Sequence, residues 1–301
     1  MSASLLALIP LVLLGLVGAL CFVGCALQTG GIQVPPGPLG RYEGDTVLAE
    51  ASVVALWPLN DPTGSTTAAD IGPNKFNGTY VGSEGNNYVL QQPGLVPQDI
   101  INGAQQKCAF FQGGSVQVDF QQALNSPSFT VEAWVKPNWS AADPQVQRAV
   151  VVSANGAAGA GYALIATPDN FWEVNLGIGS GNFVTVKFDE KIVLPDVNPF
   201  ITYYLAMTFD NISGVLALAV GPFDRPLIQK AAPALTPPAM FLPEQSKPPS
   251  TATPLFIGLG HPDLPPGSFP FDGNIQDVAF YSTALSFPTL QKHFNAGTNA
   301  G

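Results

Sequence analysis

The sequence predicts an all-β protein: a two-sheet antiparallel sandwich with a short C-terminal helix and one N-terminal transmembrane helix. Three observations predict it. Gly and Pro are both abundant, at 31 and 29 residues, without a G-X-Y period, a composition of many turns and short elements. Apolar runs of strand length recur from Val53 to Tyr281, punctuated by Gly, Pro, Asn and Asp. A single uncharged apolar run, Leu5 to Leu27, precedes all of them.

That first run reads LLALIPLVLLGLVGALCFVGCAL. About 20 apolar residues cross a bilayer core, and Pro10 lies in the first turns, where the lost hydrogen bond costs least. A retained transmembrane helix over residues 5–27 is the first reading. A cleaved signal peptide and a bacterial lipoprotein signal stand beside it. A signal peptide usually has a shorter apolar run behind a basic region, and no Lys or Arg precedes Arg41. FVGC resembles a lipobox whose Cys25 would carry the lipid, although Phe22 is a poor fit there. Arg41 gives the positive-inside rule almost nothing to count, and strictly favours the other side. The acidic, Lys-poor composition and the secretory look of the run place the domain on the extracytoplasmic side of the membrane.

Residues 28–50 contain QVPPGPLG and read as an extended, semi-rigid linker. The sandwich then occupies residues 51–301. Its candidate strands begin with VVALWPL at Val53, SVQVDF at Ser115 and FTVEAWV at Phe129. They continue with AVVVSA at Ala149, YALIA at Tyr162, FWEVNL at Phe171 and FVTVKF at Phe183. ITYYLAMTF, VLALAV, LFIGLG and NIQDVAFY complete the set. SVQVDF alternates as a strand with one wet face does. TFDNISGVLALAV carries a turn signal between two apolar runs and reads as a β-hairpin. The stretch from Gly221 to Pro254 holds too many prolines for a central strand and reads as a long loop, a candidate contact surface. At the C-terminus Ser286 is the candidate N-cap, Pro288 suits a first turn, Leu290 and Phe294 share a face, and Gly297 is the candidate C-cap.

Charge and cysteine usage exclude whole classes. The net charge is −10, and the 11 Lys and Arg form no cluster, so there is no basic stripe for nucleic acid. Two cysteines fall in the apolar run and Cys108 stands alone, which permits no disulfide framework. Cys108 reads as a buried small hydrophobe.

Four segments together resemble the laminin G-like, concanavalin A-like jelly-roll domains of the lectin and glucanase group, in its three-type laminin G branch. VVALWPLNDPTGSTTAADIGPNKFNGTYVG matches the family's opening through Trp57, Gly64, Asp70, Gly72 and Gly78. FTVEAWVKP resembles its central strand. ITYYLAMTFDNISGVLALAVG resembles its paired strands, with Tyr203 and Tyr204 near where Trp is frequent. LFIGLG, then FDGNIQDVAFYSTALSFPTLQKHFNAG, resembles its closing strand, acidic turn and terminal helix. The resemblance covers residues 51–297 and implies a jelly-roll sandwich. It implies little about activity, because one fold hosts many.

The residues argue against catalysis. Glycoside hydrolysis needs two facing carboxyl groups, and the glucanase branch's E-x-D-x-x-E run is missing. Glu132 reads as a strand residue on the wetter face. With only His261 and His293 and no G-x-S-x-G elbow, a serine hydrolase finds no support. Calcium is the metal that suits loop oxygens. Asp61, Asp70 and Asn74 lie in one turn-rich segment, and the resemblance brings Asp272 near Asp70; the competing reading is ordinary Asx-turn chemistry. Trp139, Trp172, Tyr80 and Tyr88 are the candidate ligand-binding aromatics, whereas Trp57 and Trp134 read as core. Asn77, Asn138 and Asn211 each open an N-x-S/T triplet, which matters only in a glycosylating host. The expectation is a noncatalytic, membrane-anchored recognition or adhesion module for a glycan or a protein. A structural accessory subunit of a larger membrane or virion assembly is the alternative, and a glycoside-active enzyme the remote one.

Overall fold

The computed structural model describes residues 42–97, 100–101, 104–155, 158–199, 201–235, 253–259 and 270–298. The apolar run 5–27 with Cys25, residues 236–252 of the Pro-rich stretch and His261 lie outside the described residues. Among the described residues, no helix is long and apolar enough to cross a membrane.

The strands are β1 (Val53–Trp57), β2 (Thr67–Ala68), β3 (Gly78–Val81), β4 (Tyr88–Pro93), β5 (Ile100–Ile101), β6 (Ala104–Gln105), β7 (Lys107–Gln112), β8 (Ser115–Val118) and β9 (Phe129–Pro137). They continue with β10 (Arg148–Asn155), β11 (Ala160–Ala166), β12 (Phe171–Gly179), β13 (Asn182–Lys191), β14 (Tyr203–Asp210) and β15 (Val215–Pro222). The last are β16 (Ile228–Ala231), β17 (Leu255–Ile257) and β18 (Asp272–Tyr281), before helix α1 (Phe287–Thr298). One sheet runs β16-β15-β14-β9-β18-β7-β4, with β1 also on β18; the other runs β13-β12-β11-β10-β17-β8-β3-β2. Every ladder in these two sheets is antiparallel. This is the two-sheet sandwich with a C-terminal helix that the sequence predicts.

Period-two alternation makes both layers. On β9, Phe129, Val131, Ala133 and Val135 face the second sheet and join Leu205, Met207, Leu218, Tyr162, Leu164 and Val174 in the main core. The intervening residues point to the opposite face, where α1 packs. There Trp134, Tyr204, Tyr281, Leu290 and Phe294 form a second buried cluster. β18 serves two neighbours along one edge, β7 through Asp272–Ile275 and β1 through Val278–Tyr281. A bulge separates the two pairings, and Asp277 sits there at φ 52°.

Three expectations change. The chain is already folded before residue 51: Glu43–Val47 form a π-helical turn, and Tyr42 and Val47 are wholly buried in the second cluster. Tyr42 and Val47 dock that turn with Leu48 packed beside them, and the Pro/Gly run ahead of it conceals the fact. The Pro-rich stretch is not all loop, because β16 adds to the edge of β15. An edge strand tolerates flanking prolines that a central strand does not. Gly297 is no C-cap. It lies inside α1, and a Cβ there would stand 2.3 Å from Cζ2 of Trp134. The glycine lets the helix backbone lie directly on the indole. Ser286 does cap the helix, its Oγ accepting from the Thr289 N–H at 3.3 Å.

Candidate functional site

The outward face of β9 presents Thr130, Glu132, Trp134 and Lys136 in succession, and the chemistry of the molecule is concentrated along that row. Thr130 fixes the approach to α1: its Oγ1 donates to the Thr283 carbonyl and accepts from the Leu285 N–H, both at 2.8 Å.

Glu132 is wholly buried, which corrects its expected place on a wetter face. Helix α1 and the turn at Tyr42 cover that face, so the outward side of this strand is interior. The carboxylate accepts hydrogen bonds from the hydroxyls of Tyr204 (2.5 Å), Tyr281 (2.7 Å) and Tyr42 (3.3 Å). His293 of α1 brings Nδ1 to 2.9 Å from Glu132 Oε2 and Nε2 to 3.4 Å from Glu50 Oε1. Burial alone pushes the Glu132 carboxyl up, but the His293 charge and the hydrogen bonds from His293, Tyr204 and Tyr281 outweigh it and hold it below its ordinary value. Burial alone would lower His293, but the Glu132 and Glu50 carboxylates raise it. The three tyrosines are pushed well up, by burial first and by the Glu132 charge second, so they stay protonated donors. A buried carboxylate is stable only when so fully paired.

A His between two carboxylates resembles half of a catalytic relay, but the other half is missing. The relay needs a nucleophile on the second imidazole nitrogen, and here that nitrogen faces Glu50. Both Glu132 and His293 are closed to solvent. The arrangement is a strut that ties α1 to the sheet.

Further along the same face the cover ends and a cleft of about 320 Å³ opens. Lys136 and Asn274, cross-strand partners on β9 and β18, belong to its lining, with Gln92 and Pro93 of β4, Gln105 of β6, Thr202 and Phe223. Phe223 stands edge-on to Trp134 at 5.1 Å between ring centroids. The wall at Gly94–Pro97 is pinned where the Leu95 N–H donates to Gln276 Oε1 at 2.5 Å. Gly94 has no alternative there, since a Cβ would lie 2.0 Å from the Gln106 carbonyl oxygen. Cys108 is buried beside the cleft as expected. Asn274 Nδ2 donates to its sulfur at 3.4 Å, and burial pushes the thiol up to about 12.

The four candidate ligand-binding aromatics are elsewhere and inside. Trp139, Trp172, Tyr80 and Tyr88 are each no more than 5% exposed, which corrects the expectation that they face a ligand. Trp139 donates Nε1–H to Asn170 at 2.9 Å, and Trp172 packs edge-on to Tyr203. Tyr80 stacks on Tyr88 at 5.0 Å. Large rings supply the area that joins two sheets, and a sandwich this apolar spends them there.

The calcium candidates have protein partners. Asp70 accepts from the N–H groups of Leu56, Gly72 and Phe76 at 2.6–2.8 Å, a turn chemistry that fastens the segment to β1. Asp61 accepts from the Tyr80 hydroxyl and the Ala69 N–H, and Asn74 donates to the Val54 carbonyl. Asp272 belongs to a different group, with Asn138 at 3.1 Å and Arg148 and Asp143 nearby. Among the described residues, no three His, Cys, Asp or Glu side chains form a metal-holding group.

Comparison with known proteins adds one finding. No protein-family model matches the sequence, and no curated protein matches it. Solved structures do match. Botulinum neurotoxin type C, whose way into cells depends on interaction with two ganglioside molecules, superposes with a TM-score of 0.52 at 12% identity over 81% of this chain. The binding domain of botulinum neurotoxin DC matches in two complexes. With rat synaptotagmin II the TM-score is 0.51 at 11% identity over 81% of this chain. With SialylT it is 0.50 at 12% identity over 82%. The likeness is one of fold. This chain spans only about half of each of those chains, 51%, 51% and 52% respectively.

Proposed function

We propose that the chain is a noncatalytic recognition module that binds a glycan or a protein partner. One observation carries the reading: along one face, the acid–base pair is sealed and fully bonded, while the polar cleft beyond it is open. A buried pair without a nucleophile holds structure together, whereas a rigid cleft with a cation, amides and an aromatic wall binds. The structural neighbours support the same class: cell entry of botulinum neurotoxin type C depends on interaction with two ganglioside molecules, and the binding domain of botulinum neurotoxin DC is described with synaptotagmin II and with SialylT. The three-type laminin G branch is our finer assignment, supported by the four matching segments, which fall in order on β1 to β3, on β9, on β14–β15 and on β17 to α1. We further infer that residues 5–27 anchor the module and that it works outside the cytoplasm, from the uncharged run and the acidic composition.

The test is purification of the full chain from membranes in mild detergent, with mass spectrometry of its N-terminus and of co-purifying chains, then a glycan array. Array binding or one separable protein receptor is the expected result. A fixed stoichiometric set of subunits with an intact N-terminus and no array signal would overturn it in favour of an accessory subunit.

A further inference from the structure

In the cluster beneath α1, Glu132, His293, Tyr42, Tyr204 and Tyr281 are wholly buried, whereas the Glu50 side chain is 24% exposed. Each element packed there brings a titratable group into the cluster around His293. Glu132 comes from β9, Tyr204 from β14, Tyr281 from β18, Tyr42 from the start of the π-helical turn and Glu50 from the bend behind it. Asp277 of β18 and Glu43 of the π-helical turn are buried near Tyr42, and Lys292, beside His293 on α1, is exposed. The two imidazole nitrogens therefore have unequal surroundings. Nδ1 lies 2.9 Å and 3.2 Å from the two oxygens of Glu132, closed off from water. Nε2 lies 3.4 Å from Oε1 of the partly exposed Glu50. Glu50 also closes its own bend: its N–H donates to the Val47 carbonyl at 3.2 Å, and its carbonyl accepts from the Val53 N–H at 3.0 Å. The bend is anchored at both ends, by buried Val47 and by the Ser52 carbonyl, which accepts from the Ser282 N–H at 2.8 Å.

With both nitrogens protonated, His293 donates to both carboxylates. When the ring gives up one proton, that proton does not come from Nδ1, because a bare lone pair would then face the Glu132 carboxylate with no water between them. It leaves from Nε2, and the contact with Glu50 becomes acceptor against acceptor. Glu132 is held in place by three tyrosine hydroxyls, but Glu50 is free to turn into water. We propose that Glu50 and His293 form a pH-operated latch: the bend at residues 48–51 is shut on α1 while the imidazole is charged, and swings open when it is neutral. The latch is shut at low pH and opens as pH rises through the folded-state value of His293. Burial pulls that value down, and the Glu132 and Glu50 carboxylates outweigh burial and raise it above the ordinary one. Opening gives water a path to the buried pair, while Tyr42 and Val47 keep the rest of the turn docked.

The test is amide hydrogen exchange of the full chain in mild detergent, read beside the NMR signals of isotope-labelled histidine across a rising pH series. The chain has 2 histidines, so the ring signal that survives His261→Gln is that of His293. Relative to the free-peptide rate at each pH, protection of the Glu50 and Val53 amides falls about tenfold as the His293 ring loses its charge, the size of a lost charge-assisted hydrogen bond. The neutral ring carries its proton on Nδ1, and the amides of β14 keep their protection over the same range. Glu50→Gln keeps the bend shut at both ends of the series, because an amide accepts from Nε2–H and donates to bare Nε2 alike. Glu50→Ala opens it at both ends. The latch is overturned by a fall in protection that does not follow the His293 charge, or by one that persists in Glu50→Gln. A neutral ring protonated on Nε2, a bend that stays shut in Glu50→Ala, or an equal loss of protection in β14 overturns it as well.

Discussion

The two faces of β9 are buried to the same degree and held by different physics. Inward, Phe129, Val131, Ala133 and Val135 meet other apolar side chains in a core whose contacts have no direction. Outward, Glu132 meets three tyrosine hydroxyls and an imidazole, each with a required geometry. The inner face makes the sandwich cohere. The outer face decides where α1 and the turn at Tyr42 sit, and so where the cover stops and the cleft begins. Polar burial here positions; apolar burial stabilises.

Deleting one residue on each face separates the two. Glu132→Ala leaves a buried cation and three hydroxyls without their acceptor, and costs about 3–5 kcal/mol, as breaking a buried pair does. Leu205→Ala on the inner face costs about 2–5 kcal/mol through lost transfer energy and a cavity. Urea titration gives both losses, and their sizes overlap. What distinguishes the residues is the double variant Glu132→Leu with His293→Leu, which recovers part of the loss because no wholly buried charge remains unpaired, while the three tyrosine hydroxyls stay without their acceptor. If it adds to the single losses instead, the polar cluster is not a unit.

The pH profile sharpens the same contrast. The folded pKa of His293 is raised, so its contribution is complete below its ordinary value, about 6.5, and fades as pH rises through the raised folded value. The folded pKa of Glu132 is lowered. Its contribution is complete above its ordinary value, about 4.3, and is lost as pH falls through the lowered folded value. This part of the stability is therefore greatest between about pH 4.3 and 6.5. Urea midpoints measured across pH show that dome in the native chain and in Leu205→Ala, and a flattened profile in Glu132→Ala. A dome that survives Glu132→Ala would assign it to other groups.

Gly297 tests how tightly the outer layer is packed. Its substitution by Ala forces the helix off the Trp134 ring, an overpacking worth about 1–3 kcal/mol, while helix propensity returns about 1 kcal/mol. The expected net loss is up to about 2 kcal/mol, with a change in Trp fluorescence. A stabilised variant would show that α1 can slide without cost.

These residues also mark what the sequence discloses. The alternation in FTVEAWV is local, so the strand, its inward set and the β14–β15 hairpin were legible. The cover on the outward face was not. Tyr42 and His293 lie 90 and 161 residues from Glu132, and no periodicity encodes a contact at that range. The Pro/Gly run hid the turn that brings Tyr42, and a glycine near a helix end reads as a cap whether or not an indole lies beneath it. For the candidate site, the four aromatics were identifiable as large rings but not as buried ones, since composition cannot tell core from platform. Nothing local marks Lys136, because it stands just past the apolar run, where a strand usually ends in solvent.

The smallest effect is expected where the two sheets meet at their open side. Lys230 of β16 pairs with Asp189 of β13, and Arg225, just before β16, pairs with Glu190 of β13. These bridges join edge strands of different sheets and look like a clasp. Their side chains are 40–77% exposed, however, so water screens the attraction, and ordering two long side chains offsets much of what is left. Asp189→Asn with Glu190→Gln should leave the urea midpoint unchanged within error at 0.15 M salt. At low salt a small loss should emerge as the screening length grows. Glu132→Ala should show no such salt dependence, because its partners are out of reach of ions. A surface pair that proved as costly as Glu132 would mean that the sandwich is closed from outside by charge, and that the sealed cluster under α1 is not what sets its geometry.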